Sequence, residues 1–213
     1  MRQVAEDVFQ IALTPRAFTP DPGALQAFVA GERPWVGDRG FAGIVQRSAR
    51  KPLVAAVEGF AVAGGLEIAL ACDLIVAGSG AKLGIPEVKR SLVAAAGALR
   101  RLPQRIPYSI AMELALTGDT ITAERAYELG LVNRVTERGQ ALDAALELAG
   151  AIAKNGPLAL AATKATLQQQ WDWGEEEFWQ RQGELAAPVM ASEDAHEGAT
   201  AFAEKREPNW RGR

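Results

Sequence analysis

Two glutamates stand where this sequence could do chemistry. Glu67 lies in the run "AVAGGLEIALAC", in the first turn of an apolar segment and directly behind Gly64 and Gly65; Glu87 follows Pro86 in "GIPEVKR", twenty positions later. Every residue from Leu66 to Cys72 except Glu67 is apolar, so the helix implied there is buried all round. A carboxylate in such a helix loses solvation, its ionised form is disfavoured and its pKa rises, which suits a group that trades a proton near neutrality. The glycines lack Cβ atoms and let a ligand approach the backbone, and a helix N-terminus presents unpaired N–H groups with a partial positive charge. One such donor aimed at a developing oxyanion is worth about 3 kcal/mol of transition-state stabilisation. The plain alternative is a glycine turn with Glu67 complementing the helix dipole, and Glu87 by itself reads as a first-turn charge behind a proline at the first helical position. Two carboxylates facing one cleft together with a backbone donor make an acid–base site for chemistry α and β to a carbonyl.

Other chemistries are excluded by what is scarce. With no Gly-x-Gly-x-x-Gly, and no lysine behind the glycine pair, the segment is not a phosphate loop. A single histidine, His196, lies in the charged run "SEDAHEGA" and reads as solvated helix surface, so multi-histidine zinc motifs are impossible and nothing near it resembles a nucleophile elbow. A single cysteine, Cys72, rules out an internal disulfide and fits a reducing cytosol; in an apolar helix it reads as a small buried hydrophobe. Against 23 basic residues stand 26 acidic ones, so there is no general basic surface to hold nucleic acid. No apolar run approaches the length of a membrane span, and the opening "MRQVAEDVFQ" carries charges where a secretory leader needs apolar residues. The expectation is a cytoplasmic protein with no metal.

The elements that must position the two glutamates read as an α/β layered core. "PLVAAVEG" is a buried strand, "FAVAG" a turn, "GLEIALAC" a helix, and "DLIVAG" and "AKLGI" are two further strands. Beyond Pro86 the chain reads as mainly helical: "PEVKRSL", "AAAGALRRLPQRI", "PYSIAMELALTG" closing at Gly118, and "TAERAYELG" with Thr122 as N-cap, before a short strand "LVNRV". From Gly139 four helices follow, with a stop at Gly156-Pro157 and narrow apolar faces on the last three that suit packing on one another or on another subunit. The first residues, to about Pro34, are expected to be irregular and weakly structured, with prolines and glycines crowding "TPRAFTPDPGALQAF".

Taken in order, "KPLVAAVEGFAVAGGLEIALACDLIVAG", "AKLGIPEVK", "AMELALTGDTITAERAYELGLVNRV" and "FAEKREPNWRGR" resemble the enoyl-CoA hydratase/isomerase (crotonase) family from about Leu25 to the end, and most closely its carnitinyl-CoA dehydratase-like members. The resemblance implies a crotonase-like spiral of strand-strand-helix units over residues 35–138, an atypical segment 1–34, and a C-terminal helical oligomerisation region over 139–213 that builds trimers or paired trimers. It implies acyl-CoA as substrate, no added cofactor, and hydration of 2-enoyl-CoA thioesters or the reverse dehydration. Glu67 and Glu87 match the family's catalytic glutamates and Gly64 one oxyanion donor. Gly23 falls where the second donor is expected, Ala95 where a backbone group positions water and substrate, and Lys205 matches a lysine that in some members reaches the coenzyme A of a neighbouring subunit. The match fails before Leu25, which carries the expectation of an N-terminally incomplete core with impaired hydratase activity. An enoyl-CoA isomerase and a non-catalytic acyl-CoA-binding or assembly remnant are the alternatives.

Overall fold

In the computed structural model, residues 3–5, 8–13, 35–46 and 49–213 are described. Strand β3 (Leu53–Val57) forms the centre of the molecule and all five of its residues are buried. It is flanked by parallel neighbours on both sides, β2 (Val8–Leu13) and β5 (Leu74–Gly78), and a strand covered on both faces must be apolar throughout rather than alternating. With β1 (Gln3–Ala5), antiparallel to β2, and β8 (Arg134–Thr136), parallel to β5, the five-stranded sheet runs β1-β2-β3-β5-β8. A second sheet of three short strands runs β4 (Phe60–Val62), β6 (Lys82–Gly84), β7 (Thr120–Thr122). The chain passes twice from the large sheet to the small one, at Gly59 and at Ser79-Gly80, and after the first passage enters helix α1 (Gly64–Ala71). This is the strand-strand-helix repeat expected of the core.

Two expectations are corrected. Residues Val8–Leu13 and Gln3–Ala5, read as weakly structured, are strands of the large sheet. "VFQIAL" is apolar enough to lie beside β3, but its register partner Leu53 is remote in sequence and leaves no local turn signal. "FAV", read as part of a turn, is strand β4, because three residues need only the parallel partner Lys82–Gly84 to become a strand. The segment "PEVKR" forms a 3-10 helix, Pro86–Arg90.

Side chains of β3 divide the core by period two. Leu53, Ala55 and Val57 join Leu66, Leu70 and Leu83 on one face, while Val54 and Ala56 meet Val76 and the alanines 141, 145 and 149 on the other. Those alanines, one per helical turn, let α5 (Ala141–Ala153) lie close across the sheet. Glu58 at the end of β3 fixes the start of α5: its Oε1 accepts from Ala141 N at 2.8 Å and its Oε2 from Gly139 N at 3.1 Å. Helices α2 (Ala98–Arg105) and α3 (Tyr108–Thr117) cover the other face, and α4 (Ala123–Glu128) starts with Thr122 Oγ1 accepting from Arg125 N.

Helix α6 (Pro157–Gln169) is docked by a largely buried ion pair. Lys164 Nζ donates to Asp73 Oδ2 at 2.7 Å and to the carbonyl of Lys51 at 2.7 Å; Asp73 also accepts from Leu53 N and from Gln168 Nε2. Helices α7 (Glu175–Met190) and α8 (Glu193–Glu204) follow, and the tail folds back so that the buried carboxylate of Asp194 accepts from the amides of Arg211 and Gly212 while Trp210 Nε1 donates to the carbonyl of Lys154. No helix among the described residues is long and apolar enough to cross a membrane. Removing one partner of a buried pair strands the other charge, so Lys164→Met should lower unfolding free energy in urea by about 3 kcal/mol; a loss under about 0.5 kcal/mol would contradict the docking role.

Candidate active site

The N-cap of α1 is Ala63, held at φ 51° and ψ −130°, a backbone region that alanine occupies only under strain of about 1–3 kcal/mol. Its N–H donates to the Gly84 carbonyl at 3.0 Å, and its own carbonyl accepts from Leu66 N and Glu67 N. The helix's internal bonding therefore begins at Leu66, and the amides of Gly64 and Gly65 have no partner among the described residues. Gly64 is required by close approach: a Cβ there would stand 2.9 Å from the Phe41 ring, which is itself held edge-on to Trp35.

Glu67 emerges from this turn with only 4% of its surface exposed. Its Oε1 accepts from Ala96 N at 2.7 Å and from Ala98 N at 3.2 Å, so one oxygen is fixed by two amides and the other is not committed to that turn. Burial pushes its carboxyl above the ordinary glutamate range; the two amides pull it back, and the charge of Glu87 raises it further. The 3-10 helix after β6 brings Glu87 near enough for its charge to act on Glu67. Burial raises the Glu87 carboxyl as well, and its Oε2 is buried with no hydrogen-bond partner among the described residues. A carboxyl oxygen shut off from solvent and left unbonded is suited to a proton or a water arriving with a ligand.

The glutamates and Gly64 named from the sequence are thus brought together. Ala95 lies exposed, while the amides that reach Glu67 belong to Ala96 and Ala98. Backbone donors have no side-chain signature, and only the position of the loop ahead of α2 hinted at them. Lys205 is exposed at the C-cap of α8 with left-handed backbone. Gly23 lies outside the described residues. Burial, with Asp73 adjacent, pushes the Cys72 thiol up to about 12, which makes it a packing residue without nucleophilic character near neutrality. Among the described residues no group of three or more His, Cys, Asp or Glu is placed to hold a metal ion.

Comparison with known proteins shows the family to which the chain belongs. Residues 44–213 match the family model described as enoyl-CoA hydratase/isomerase. The chain is 48% identical over 167 residues to enoyl-CoA hydratase EchA19 of Mycobacterium tuberculosis, covering 78% of this chain and 63% of that relative. It is 42% identical over 195 residues to carnitinyl-CoA dehydratase of Salmonella arizonae, covering 88% and 75%. A crystal structure of an enoyl-CoA hydratase from Mycobacterium tuberculosis superposes with a TM-score of 0.85 at 56% identity, over 89% of this chain and 75% of that one.

Raised carboxyl pKa values carry a consequence for stability. Where a carboxylic acid binds its proton more tightly folded than unfolded, folding is penalised as pH rises from the unfolded pKa through the folded one, and the penalty is absent below both. Glu67→Gln keeps a carbonyl oxygen for the Ala96 and Ala98 amides and removes the ionisation. Its melting temperature should exceed that of wild type at about pH 8, and the gain should vanish near about pH 4. A variant less stable than wild type at both pH values would contradict the burial assigned to Glu67.

Proposed function

Because the chain belongs to the enoyl-CoA hydratase/isomerase family, we propose that it adds water across the double bond of a 2-enoyl-CoA thioester, or removes it from the 3-hydroxyacyl-CoA. The observation that carries this reading is the buried carboxyl of Glu67 acted on by the charge of Glu87, a half-buried carboxyl with one buried oxygen, beside a helix start whose first amides have no partner among the described residues. In that reading the thioester oxygen lies at the Gly64 N–H, which holds the negative charge that develops there as the enolate forms. One carboxylate accepts a proton from water as its oxygen bonds to Cβ, and the other, protonated, delivers its proton to Cα. Two like charges close together oppose simultaneous ionisation, and this favours the one-acid, one-base state that such an addition needs.

The reaction so drawn uses only side chains, backbone and water, and requires no added cofactor. Acyl-CoA is the substrate class. Assembly through the C-terminal helices into a trimer or a pair of trimers is part of the proposal. It is supported by α7, which buries none of its residues, and by Trp179, Met190 and Phe202 exposed on α7 and α8. In such an assembly Lys205 would be available to a coenzyme A bound by a neighbour. A cytoplasmic setting fits a CoA ester as substrate. An isomerase, which moves a proton between carbons and leaves water out, has no need of two carboxyls on one water, and the retention of both glutamates favours hydration.

Wild type, Glu67→Gln and Glu87→Gln should be compared for loss of absorbance of a short 2-enoyl-CoA. Turnover by wild type with a drop of about 100-fold or more in kcat for each variant is the expected result. Equal rates in all three would rule out the two-glutamate mechanism, and double-bond migration without hydration would favour the isomerase.

A further inference from the structure

Helix α2 carries three arginines with different tasks. Arg100 pairs with Asp172 at 2.6 Å with both side chains more than half exposed, and Arg105 donates to the carbonyls of Leu70 and Cys72 at the far end of α1. Arg101 turns the other way. Its Nη2 donates to the carbonyl of Val45, and its Nη1 covers Gly97 so closely that a Cβ there would collide with it. Gly97, at φ 104°, is the N-cap of α2 and lies between Ala96 and Ala98, the two residues whose amides hold Glu67. The left-handed backbone at Gly97 favours glycine, and its missing Cβ leaves the guanidinium lying against the turn.

Val45 belongs to the loop that carries Phe41, and Phe41, Val45 and Ala96 form one buried cluster. The Val45 amide bonds the Phe41 carbonyl, so the loop is closed on itself and moves with its aromatic ring. Phe41 is the wall against Gly64. A single guanidinium therefore touches both the loop behind the oxyanion donor and the turn that holds the acid–base glutamate. Part of it lines a cavity of about 730 Å³ between the end of α1, α2 and α6, which neither glutamate lines.

We propose that Arg101 is the positioning residue of this site: by bridging the Val45 carbonyl and the Gly97 turn it locks the Ala96 and Ala98 amides onto Glu67 and keeps Phe41 pressed on Gly64. The inference rests on the reading of Glu67 as an acid–base group. Two charged groups bear on Glu67, Glu87 from the 3-10 helix and Arg101 from α2; Arg101 in turn feels Arg100 and itself acts on Arg105, and β4, also packed against α1, brings no charge. Burial raises the Glu67 carboxyl pKa most; the Ala98 and Ala96 amides lower it, Glu87 raises it, and the charge of Arg101 adds a smaller lowering to that of the amides it positions. Removing Arg101 takes away its charge and loosens the two amides that lower the Glu67 carboxyl, so the carboxyl should titrate at higher pH.

The test compares wild type, Arg101→Gln and Arg101→Lys in protein labelled with carbon-13 at the glutamate carboxyls, with the Glu67 signal assigned by its loss in Glu67→Gln. Arg101→Gln should raise the Glu67 titration midpoint, speed hydrogen exchange of the Ala96 and Ala98 amides by about tenfold or more, and lower kcat by about 10- to 100-fold with a much smaller change in KM. Arg101→Lys keeps the charge and loses the planar fork, so it should return the midpoint toward wild type while the amides stay fast. Unchanged midpoint and exchange in Arg101→Gln would overturn the proposal, whatever happens to the rate. If the glutamine variant does not fold, unchanged amide exchange in Arg101→Lys overturns it and faster exchange supports it. Absence of turnover in wild type would count against the hydratase reading alone, since titration and exchange still decide the role of Arg101.

Discussion

Withdrawing Glu67 from water costs free energy, and the structure returns part of it through two backbone amides, those of Ala96 and Ala98, brought from the far side of a strand pair. Most of the surrounding architecture serves that single contact. The turn ahead of α2 must reach α1, so β5 and β6 have to lie beside β3 and β4 in fixed register. The same strand pair leads into the 3-10 helix that begins at Pro86 and carries Glu87 to within electrostatic reach of Glu67. One repeat of strand, strand and helix supplies Glu67 and the next supplies both its anchor and its partner.

The compensation is deliberately incomplete in chemical terms. Two amides satisfy one oxygen of Glu67, while desolvation and the neighbouring carboxylate keep its proton affinity high, and one oxygen of Glu87 is buried with no hydrogen-bond partner among the described residues. A fully satisfied carboxylate would be stable and inert; a carboxyl with raised pKa and spare capacity is able to exchange protons. Backbone strain at Ala63 belongs to the same pattern, because its unusual φ turns the chain so that the amides of Gly64 and Gly65 open the helix.

Local signals made much of this readable. The glycine pair before "LEIALAC", the proline before Glu87, the apolar runs of β3 and β5 and the cap at Thr122 each act over a few residues, and the sequence patterns for them agree with the structure. Contacts between distant residues were not readable. Glu58 caps α5 from 83 positions away and Lys164 meets Asp73 across 91, pairings that only the folded chain defines. Strands β2 and β4 depend on partners rather than on their own pattern. The amides of Ala96 and Ala98 belong to residues whose side chains carry no chemistry, and nothing in the pattern of "AAAGALRRLPQRI" sets Arg101 apart from Arg100 and Arg105; its contacts with Val45 and Gly97 do.

The central claim is that a buried carboxyl at the start of α1 trades a proton with the carbon beside a thioester whose oxygen is held at the Gly64 amide. Its most direct test is proton exchange without hydration: a saturated acyl-CoA is incubated with the protein in deuterium oxide, and the α-carbon is followed by proton NMR. The account predicts that deuterium enters at the α-carbon with wild type and that Glu67→Gln or Glu87→Gln slows its entry. An α-carbon that gains deuterium no faster with wild type than in buffer alone would contradict it.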